Sequence, residues 1–366
     1  MSPTYRGELV FTFLYDLGGE VKLQEVAALV KGLRAERVEP SKSAPAYVDL
    51  SRPLAYRYPE RLVETPRGVE RLIVESRIYG IGAVSVALRL PFEAKDLREV
   101  NELTFLKPAK SPGLDAIARE VAEGIAGTID RALVERYVAA VEPETYLAVV
   151  LTQTPVPAME LFEKERQMLA GIVAGEKRPE RLSAEEVRDN LRTWFRYYED
   201  DLVVVDWERA LILEPSGRYE DVLTVMEIAN LELLELRVYD KYLDSVLEEA
   251  YEDITRFYGR GGLFRSARGV QEELSNARID LVRVTDAINN IGKIFGDYYL
   301  AKLHVGLAER FHLNEWEAIV REKMATLNEL YTLASHEVEH RRGVTLEAMI
   351  VLLFVIDLVL LFLLSK

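Results

Sequence analysis

The chain has 366 residues, which is long enough for two or three units that each bury a hydrophobic core. Its 61 acidic residues against 46 basic ones give a net charge of -15, which repels phosphate backbones and argues against general nucleic-acid binding. No cysteine occurs, so disulfides, thiolate metal ligands and cysteine nucleophiles are excluded and a reducing compartment is expected. The first residues carry neither the charged nor the apolar region of a secretory signal, so we expect the N-terminal body to stay cytoplasmic.

Residues 1–152 alternate between segments typical of strands and segments typical of helices. Runs rich in Val, Ile, Tyr, Phe and Leu predict strands at 7–15, 46–50, 69–79, 81–90 and 144–152. Helical patterns cover 22–34 and 112–141. The order β-α-β-β-β-α-β predicts a ferredoxin-like α/β domain with one extra edge strand, and hence an α+β fold class.

Residues 153–218 are predicted to contain linker helices and a hairpin. Ser183 followed by Glu186 is the pattern of a helix capping box, in which two orphan backbone N–H groups are satisfied. Two short apolar runs, 202–206 and 210–213, predict the two strands of a β-hairpin.

Acidic and aromatic residues cluster around this predicted hairpin. The carboxylates are Asp200, Asp201, Asp206 and Glu208. Such a group could collect a divalent cation, but acidic turn residues are more often solvated, and the sequence favours the solvated state. The aromatic residues are Trp194, Tyr197 and Tyr198. We interpret them as part of the core, because clustered aromatic side chains more often pack together than bind a ligand.

The sequence from 219 to 343 predicts long helices that form a coiled-coil stalk. Apolar residues follow an unbroken 3-4 spacing from Leu274 to Tyr298, as on one seam of a coiled coil. Upstream, a seven-residue period joins Leu236, Leu243, Ala250 and Phe257. A glycine-rich segment at 258–263 separates the two patterns and predicts that the helices fold back as an antiparallel pair.

A long apolar run at residues 344–364 predicts a transmembrane helix. Its 21 residues include 16 that are Leu, Ile, Val or Phe, and as a helix they span roughly 31 Å against about 30 Å of hydrocarbon. The favourable insertion energy of these side chains exceeds the cost of two acids in the run. The alternative is a buried core helix, which seldom has so uniform an apolar composition.

Charged residues near this run predict its orientation and contacts. Arg341 and Arg342 precede it, so the positive-inside bias places the N-terminal body on the cytoplasmic side of the inner membrane. Glu347 and Asp357 lie inside it, where a carboxylate is costly and normally faces protein or water. We therefore expect both acids to face neighbouring helices in a homo-oligomer.

The sharpest catalytic motif is an H-E-x-x-H sequence at residues 336–340. His336 and His340 could bind zinc, with Glu337 as the general base. No convincing third ligand follows, and a charged helix end produces such a string by chance. We interpret the motif as a solvated helix face, so the sequence predicts no metal, no cofactor and no enzymatic activity.

The C-terminal end also carries a recognisable order of residues. In sequence these are Arg341-Arg342, Leu346-Glu347, an apolar run at 349–355 and Asp357. With the helical segment at 234–243, this order resembles the required-for-meiotic-nuclear-division and Sad1-interacting-factor family, the YagE-like proteins. Where that family often has Trp after the Glu, this chain has Ala348. The resemblance implies a membrane location and carries over no catalytic residues.

The leading functional hypothesis is a tail-anchored scaffold that faces the cytoplasm and assembles with copies of itself. Its partners are the lipid bilayer and other copies of the chain, through helices at 274–298 and 344–364, with no nucleic acid. The predicted domains are 1–152, 153–218, 219–343 and 344–364. An alternative is an ion-transport assembly like the CorA magnesium channels, although the second membrane helix and the Gly-Met-Asn motif are missing. A zinc metalloprotease is the third possibility.

Overall fold

The computed structural model describes residues 5–29, 34–37, 53–65, 67–106, 113–134, 141–258 and 298–364. The chain divides into two compact units. The first comprises Met1–Val238 with Asp286–Glu317, and the second comprises Tyr239–Thr285 with Ala318–Lys366. Each unit is described by itself below. The four predicted domain limits stay a prediction.

The strands belong to the first unit. In chain order they are β1 (Tyr5–Asp16), β2 (Glu20–Val21), β3 (Arg34–Arg37), β4 (Leu54–Arg57), β5 (Arg61–Thr65), β6 (Gly68–Ile78), β7 (Ala83–Ala94), β8 (Leu133–Val134), β9 (Glu144–Gln153), β10 (Trp194–Phe195), β11 (Leu202–Val205) and β12 (Arg209–Leu213). The long strands β1, β6, β7 and β9 coincide with four of the five runs that the sequence predicts. The fifth, at 46–50, lies outside the described residues.

Short helices separate the strands and long helices follow them. They are α1 (Leu23–Leu29), α2 (Leu97–Leu103), α3 (Leu114–Ile129), α4 (Ala158–Lys164), α5 (Arg166–Ala174), α6 (Ala184–Asn190), α7 (Glu220–Tyr258), α8 (Tyr298–Arg310) and α9 (Leu313–Leu364). At the start of α6, Ser183 accepts a hydrogen bond from the backbone N–H of Glu186, as the capping-box pattern predicts.

Among the described residues, one ten-stranded sheet organises the first unit. Its order is β10-β11-β12-β9-β1-β7-β6-β4-β3, with β5 also paired to β6. Neighbours run antiparallel except β12 and β9, which are parallel. The short strands β2 and β8 form a separate pair.

The central strand β1 fixes the register of the sheet. It pairs with β7 over its full length, from Tyr5 opposite Ala94 to Asp16 opposite Ala83. On its other side it pairs with β9, where the register shifts at Gly7. A Cβ on Gly7 would lie 1.8 Å from the carbonyl oxygen of Val150, so only glycine permits this close approach of the two strands.

One face of the sheet carries the hydrophobic core. Because side chains alternate along a strand, Leu9 and Phe13 of β1 face the same side as Leu88 of β7. Helix α3 covers this face with Ile117, Val121 and other buried residues. Helices α4 and α5 contribute Leu161, Phe162, Leu169 and Ile172 to the same cluster.

The opposite face of the sheet is mixed. It carries charged residues on β6 and β7, and buried apolar residues such as Val150, Val203 and Ile212 on β9, β11 and β12. The first half of α7 lies against this face, where one apolar cluster consists of Leu14, Tyr79, Ala83, Leu231, Leu234 and Val238. Ion pairs and hydrogen bonds also join strand residues to α7. This face therefore binds its helix by apolar packing and by charge together.

The second unit contains the rest of α7 and most of α9. Leu243 and Ala250 are buried, as the seven-residue pattern predicts, whereas the side chain of Phe257 lies outside the described residues. Lys323 of α9 lies 2.6 Å from carboxylate oxygens of Asp240 and Asp244 on α7. The predicted seam from 274 lies outside the described residues up to Tyr298, so self-association through it stays a prediction.

The predicted ferredoxin-like body is wrong. That fold needs one split βαβ sheet, but the strands here continue past β9 through β12, β11 and β10, and past β6 through β4 and β3. The predicted helix at 112–141 ends at Ile129, and the one at 22–34 ends at Leu29, after which β3 begins. The protein is a mixed α/β structure around one large sheet.

The predicted transmembrane helix is also wrong. Across the described part of the chain, no helix combines the length and the apolar composition that crossing a bilayer requires. Glu347 and Asp357 lie on α9, which runs from Leu313 to Leu364. The tail anchor, the inner-membrane location, the membrane scaffold and the CorA-like alternative depended on this span and are corrected with it.

We expect Leu9→Ala to lower the free energy of unfolding by about 2 to 5 kcal/mol, because it leaves a cavity under the central strand. Leu9 is 0% exposed. The matched control is Leu62→Ala on β5, where the side chain is 71% exposed and the expected change is within about 0.5 kcal/mol. Urea unfolding of both variants measures the difference, and equal losses would contradict the placement of the core.

Candidate functional site

A pocket in the first unit is the candidate site. It lies where the β11–β12 hairpin meets the start of α7 and the start of α8, and its volume is about 300 Å³. The hairpin contributes Val203, Ile212 and Leu213 to its wall. The start of α8 contributes Tyr299 and Leu300. The pocket is thus formed by elements that are distant in sequence.

Tyrosine rings dominate the pocket lining. Tyr197, Tyr198, Tyr219 and Tyr299 all border it. The ring centroids of Tyr197 and Tyr198 are 4.7 Å apart, and those of Tyr197 and Tyr299 are 5.3 Å apart, both in edge-to-face arrangements. In such pairs the faces of some rings remain directed away from their neighbours, so they can receive a ligand.

The loop that carries two of these rings is held by Asp201. Its carboxylate accepts hydrogen bonds from the backbone N–H groups of Tyr197 at 2.8 Å and Tyr198 at 3.0 Å. Asp201 itself is buried next to β11. Hydrogen bonds to a carboxylate are stronger than those between neutral groups, so this residue fixes the positions of both tyrosines.

The lining carries more negative than positive charge. Asp201, Glu214 and Asp221 are acidic and Arg218 is basic. Arg218 donates a hydrogen bond to the Ser216 hydroxyl at 3.3 Å. Asp221 is exposed in the first turn of α7 and offsets the positive end of the helix dipole there. The charged side chains of the lining therefore sum to a negative charge.

Tyr219 links the pocket to the charged residues on the face of the sheet that α7 covers. Burial, followed by the negative charge of Glu8, raises the pKa of Tyr219 to about 12, and its hydroxyl hydrogen-bonds to Glu8. The guanidinium of Arg89 lies 6.0 Å from the centre of the Tyr219 ring. Tyr219 therefore stays a neutral phenol at physiological pH.

Arg89 holds three carboxylates from three elements together. It donates to Glu8 of β1 at 2.6 Å, to Glu220 of α7 at 2.5 Å and to Glu75 of β6 at 3.3 Å. Burial lowers the pKa of Arg89, but the hydrogen bonds to Glu8 and Glu220 outweigh it and raise the pKa overall. This group fastens the first turn of α7 beside Tyr219.

A second set of hydrogen-bonded side chains holds α7 against the sheet, two helical turns after Glu220. Glu227 accepts hydrogen bonds from Arg77, and from the Tyr79 hydroxyl at 2.6 Å. The charge of Glu227 raises the pKa of Arg77, and burial raises the pKa of Tyr79 well above its usual value. Arg237, on the same helix, pairs with Glu144 of β9.

Helix α8 is held against α7 and the hairpin in turn. His304 Nε2 lies 3.0 Å from Glu232 Oε2 of α7, and both side chains are buried. Gly306 lies against the ring of Phe195, whose Cζ a Cβ would approach to 2.3 Å. These contacts place Tyr299, at the start of α8, in the pocket wall.

The hairpin carboxylates do not converge on one point. Asp201 binds the backbone as described, while Asp206 lies 3.4 Å from Arg310 of α8. Asp200 and Glu208 are exposed. Within the described ranges, no group of three or more histidine or acidic side chains is arranged to hold a metal ion.

The other predicted site residues lie on α9 and are not brought to the pocket. Glu347 and Asp357 are exposed on that helix. The side chains of His336, Glu337 and His340 lie outside the described residues, as do those of Arg341 and Arg342. Their roles stay predictions.

The sequence interpretation of the aromatic cluster as core is wrong. Trp194 is 41% exposed, Tyr197 58% and Tyr198 56%. The residues that sequence reasoning missed are Tyr219 and Tyr299, which approach Tyr197 only through the fold. The local signal that could have indicated exposure is the run of charged residues next to the tyrosines, at 199–201.

Comparisons with known proteins concern the N-terminal part of the chain. A family model described as "Uncharacterized protein MJ0711, N-terminal domain" matches residues 6–220. A curated relative, "Uncharacterized protein MJ0711" of Methanocaldococcus jannaschii, is 29% identical over 182 residues. This match covers 50% of the chain and 55% of the relative, so the chain spans about half the length of the curated relative it matches. No solved structure matches the chain.

The expected membership of the meiotic-nuclear-division and Sad1-interacting-factor family is wrong. That resemblance depended on the C-terminal helices at 234–243 and 341–357, whereas the family match ends at residue 220. Residue 220 is also where α7 begins. The matched region therefore contains the whole sheet together with Tyr197, Tyr198 and Tyr219 of the pocket.

We expect Glu227→Ala to lower the free energy of unfolding by about 3 to 5 kcal/mol, because Arg77 loses its buried partner. The matched control is Glu248→Ala on the same helix, where the exposed side chain predicts a change within about 0.5 kcal/mol. Urea unfolding measures both. A loss for Glu227→Ala no larger than that for the control would show that the ion pair does not hold α7.

We expect alkaline pH to destabilise the wild type more than Tyr219→Phe. The pKa of Tyr219 is about 12 in the folded state, above the value near 10 in the unfolded state. The stability that this difference contributes is present below about pH 10 and is lost as the pH rises to about 12. Phenylalanine has no proton to lose, so the variant lacks this loss. Urea unfolding at about pH 9 and about pH 11 measures it. Tyr251→Phe, on an exposed tyrosine of α7, is the control and should behave as the wild type.

Proposed function

The chain belongs to the family of the MJ0711 N-terminal domain, and we propose that it is a binding module whose tyrosine pocket takes an organic cation. The observation that carries this proposal is the meeting of four tyrosine rings and three carboxylates around one pocket of about 300 Å³. Aromatic faces attract ammonium and guanidinium groups through the ring quadrupole. Carboxylates near the rings add charge attraction.

The size of the pocket fits this class of ligand. Pockets for small molecules range from about 300 to 1,000 Å³, so this one lies at the lower limit and suits a single small group. Tetramethylammonium and alkylguanidinium ions are small enough to fit within this volume. Both carry their charge on a surface that is weakly hydrated and suited to contact with aromatic rings.

An anion would be bound less well in the same place. The start of α7 has a positive dipole end that favours anions, but Glu220 and Asp221 occupy its first turn and oppose them. Arg218 is the basic residue of the lining, and it is already hydrogen-bonded to Ser216. The balance of charge therefore supports a cationic ligand.

The test is a titration of the full chain with tetramethylammonium and with its neutral analogue tert-butanol. We expect tetramethylammonium to bind and tert-butanol not to bind, as measured by ligand-observed NMR saturation transfer and calorimetry. Tyr197→Leu should weaken the binding by about threefold to thirtyfold, the range that one cation–π contact implies. Tyr197→Phe keeps the aromatic face and should bind as the wild type does.

The control variant is Tyr251→Leu, which removes an exposed tyrosine outside the pocket lining and should leave binding unchanged. Because Tyr197 is 58% exposed, its replacement should not unfold the protein. Equal binding of tert-butanol and tetramethylammonium, or no effect of Tyr197→Leu, would contradict the proposal.

A further inference from the structure

We propose that the cation is an arginine side chain presented by a segment of another protein, so that the pocket is the centre of a protein-docking surface. This inference rests on the proposed function and names the source of the ligand. The surface consists of the pocket together with the exposed rings of Tyr197, Tyr198 and Tyr298, and we call it the tyrosine surface.

The first argument is that the pocket is open to solvent. Sites for free small molecules bury about 70 to 90% of the ligand. Here Tyr197 and Tyr198, which form one wall, are themselves 58% and 56% exposed. A small free cation would therefore keep much of its surface in water. A side chain that belongs to a larger partner is bound more firmly, because the rest of the partner covers the rings.

The second argument is the extent of aromatic surface around the pocket. Tyr298, next to the pocket residue Tyr299, is 85% exposed. The rings of Tyr197 and Tyr198 are in contact and together expose roughly 170 to 290 Å² at the area typical of aromatic side chains. A contiguous exposed patch marks an interaction site more often than apolar residues scattered singly do. Tyrosine is also among the residues that contribute most to protein interfaces.

The third argument is charge complementarity. Glu199 and Asp200 are exposed on the loop that carries Tyr197 and Tyr198, and Asp221 is an exposed residue of the pocket lining. The chain as a whole carries a charge of -15. Acidic groups around an aromatic centre favour a basic partner and accelerate its encounter. A second copy of this acidic chain is a poorer match than a basic segment of another protein.

Arginine suits this pocket better than lysine. The guanidinium group is planar, so it can stack on a tyrosine face while its edge donates two parallel hydrogen bonds to a carboxylate. Tyr197 supplies an aromatic ring beside Tyr299, and Asp221 supplies an exposed carboxylate in the same lining. The lysine ammonium is strongly hydrated and lacks this planar geometry.

The experiment is a binding selection with the full chain and synthetic peptide pools. Each pool has randomised flanks and a fixed central residue, which is arginine, lysine, citrulline or leucine. Citrulline has nearly the shape of arginine but no charge. We expect the arginine pool to be retained at least about tenfold more than the citrulline pool, and less at high salt. Selected arginine peptides should bind at least about tenfold more tightly than N-methylguanidinium.

The variants separate this inference from the proposed function. Tyr197→Leu should lose about threefold to thirtyfold in peptide affinity, while Tyr251→Leu should lose none. If N-methylguanidinium binds through Tyr197 but no pool is enriched, the pocket takes a free cation and only this inference is wrong. If neither binds, both proposals are wrong. Equal retention of the arginine and leucine pools, or Tyr197-dependent self-association in sedimentation, would also overturn it.

Discussion

The buried charge of Arg77 is the constraint on which the rest of the arrangement depends. A guanidinium group inside a protein requires a carboxylate partner, and Glu227 supplies it from α7. Two further ion pairs join the same face to α7, from Arg89 to Glu220 and from Glu144 to Arg237. Together the three pairs fix the position of α7 along the sheet. That position fixes the first turn of α7, and the first turn forms part of the pocket. The chemistry of the site is thus set by charges that lie outside it.

The pocket combines groups that serve different purposes. Asp201 uses its carboxylate on the backbone and gives the loop its shape, whereas Asp221 is exposed to a ligand. Tyr219 remains protonated because Glu8 and burial oppose its ionisation, so its ring keeps the electron-rich face of a neutral phenol. A tyrosinate would add charge but would also need hydration. Neutral rings with carboxylates at the rim allow a cation to lose water on one side while it keeps its charge balanced.

Local patterns predicted local structure well and long-range pairing poorly. The run around β1, the helix N-cap at Ser183 and the buried positions Leu243 and Ala250 follow from spacing within a few residues, and all are found. The ferredoxin-like body is wrong because nothing in the run at 210–213 indicates that it lies parallel to β9. The pocket was missed for the same reason, since Tyr197 and Tyr299 are about a hundred residues apart. The apolar run in α9 gave a strong compositional signal, but no helix in the described part of the chain is long and apolar enough for a membrane span.

The charged residues on the α7 face of the sheet are also exposed to solvent during translation, before α7 is synthesised. Translation adds roughly 5 to 20 residues each second, so the sheet is complete for some time before α7 and α8 have left the ribosome. During that interval Glu8, Glu75, Arg77 and Arg89 stand uncovered on a large, otherwise finished surface. These charged groups stay hydrated until α7 reaches them, so they make association with neighbouring nascent chains less favourable than a wholly apolar face would.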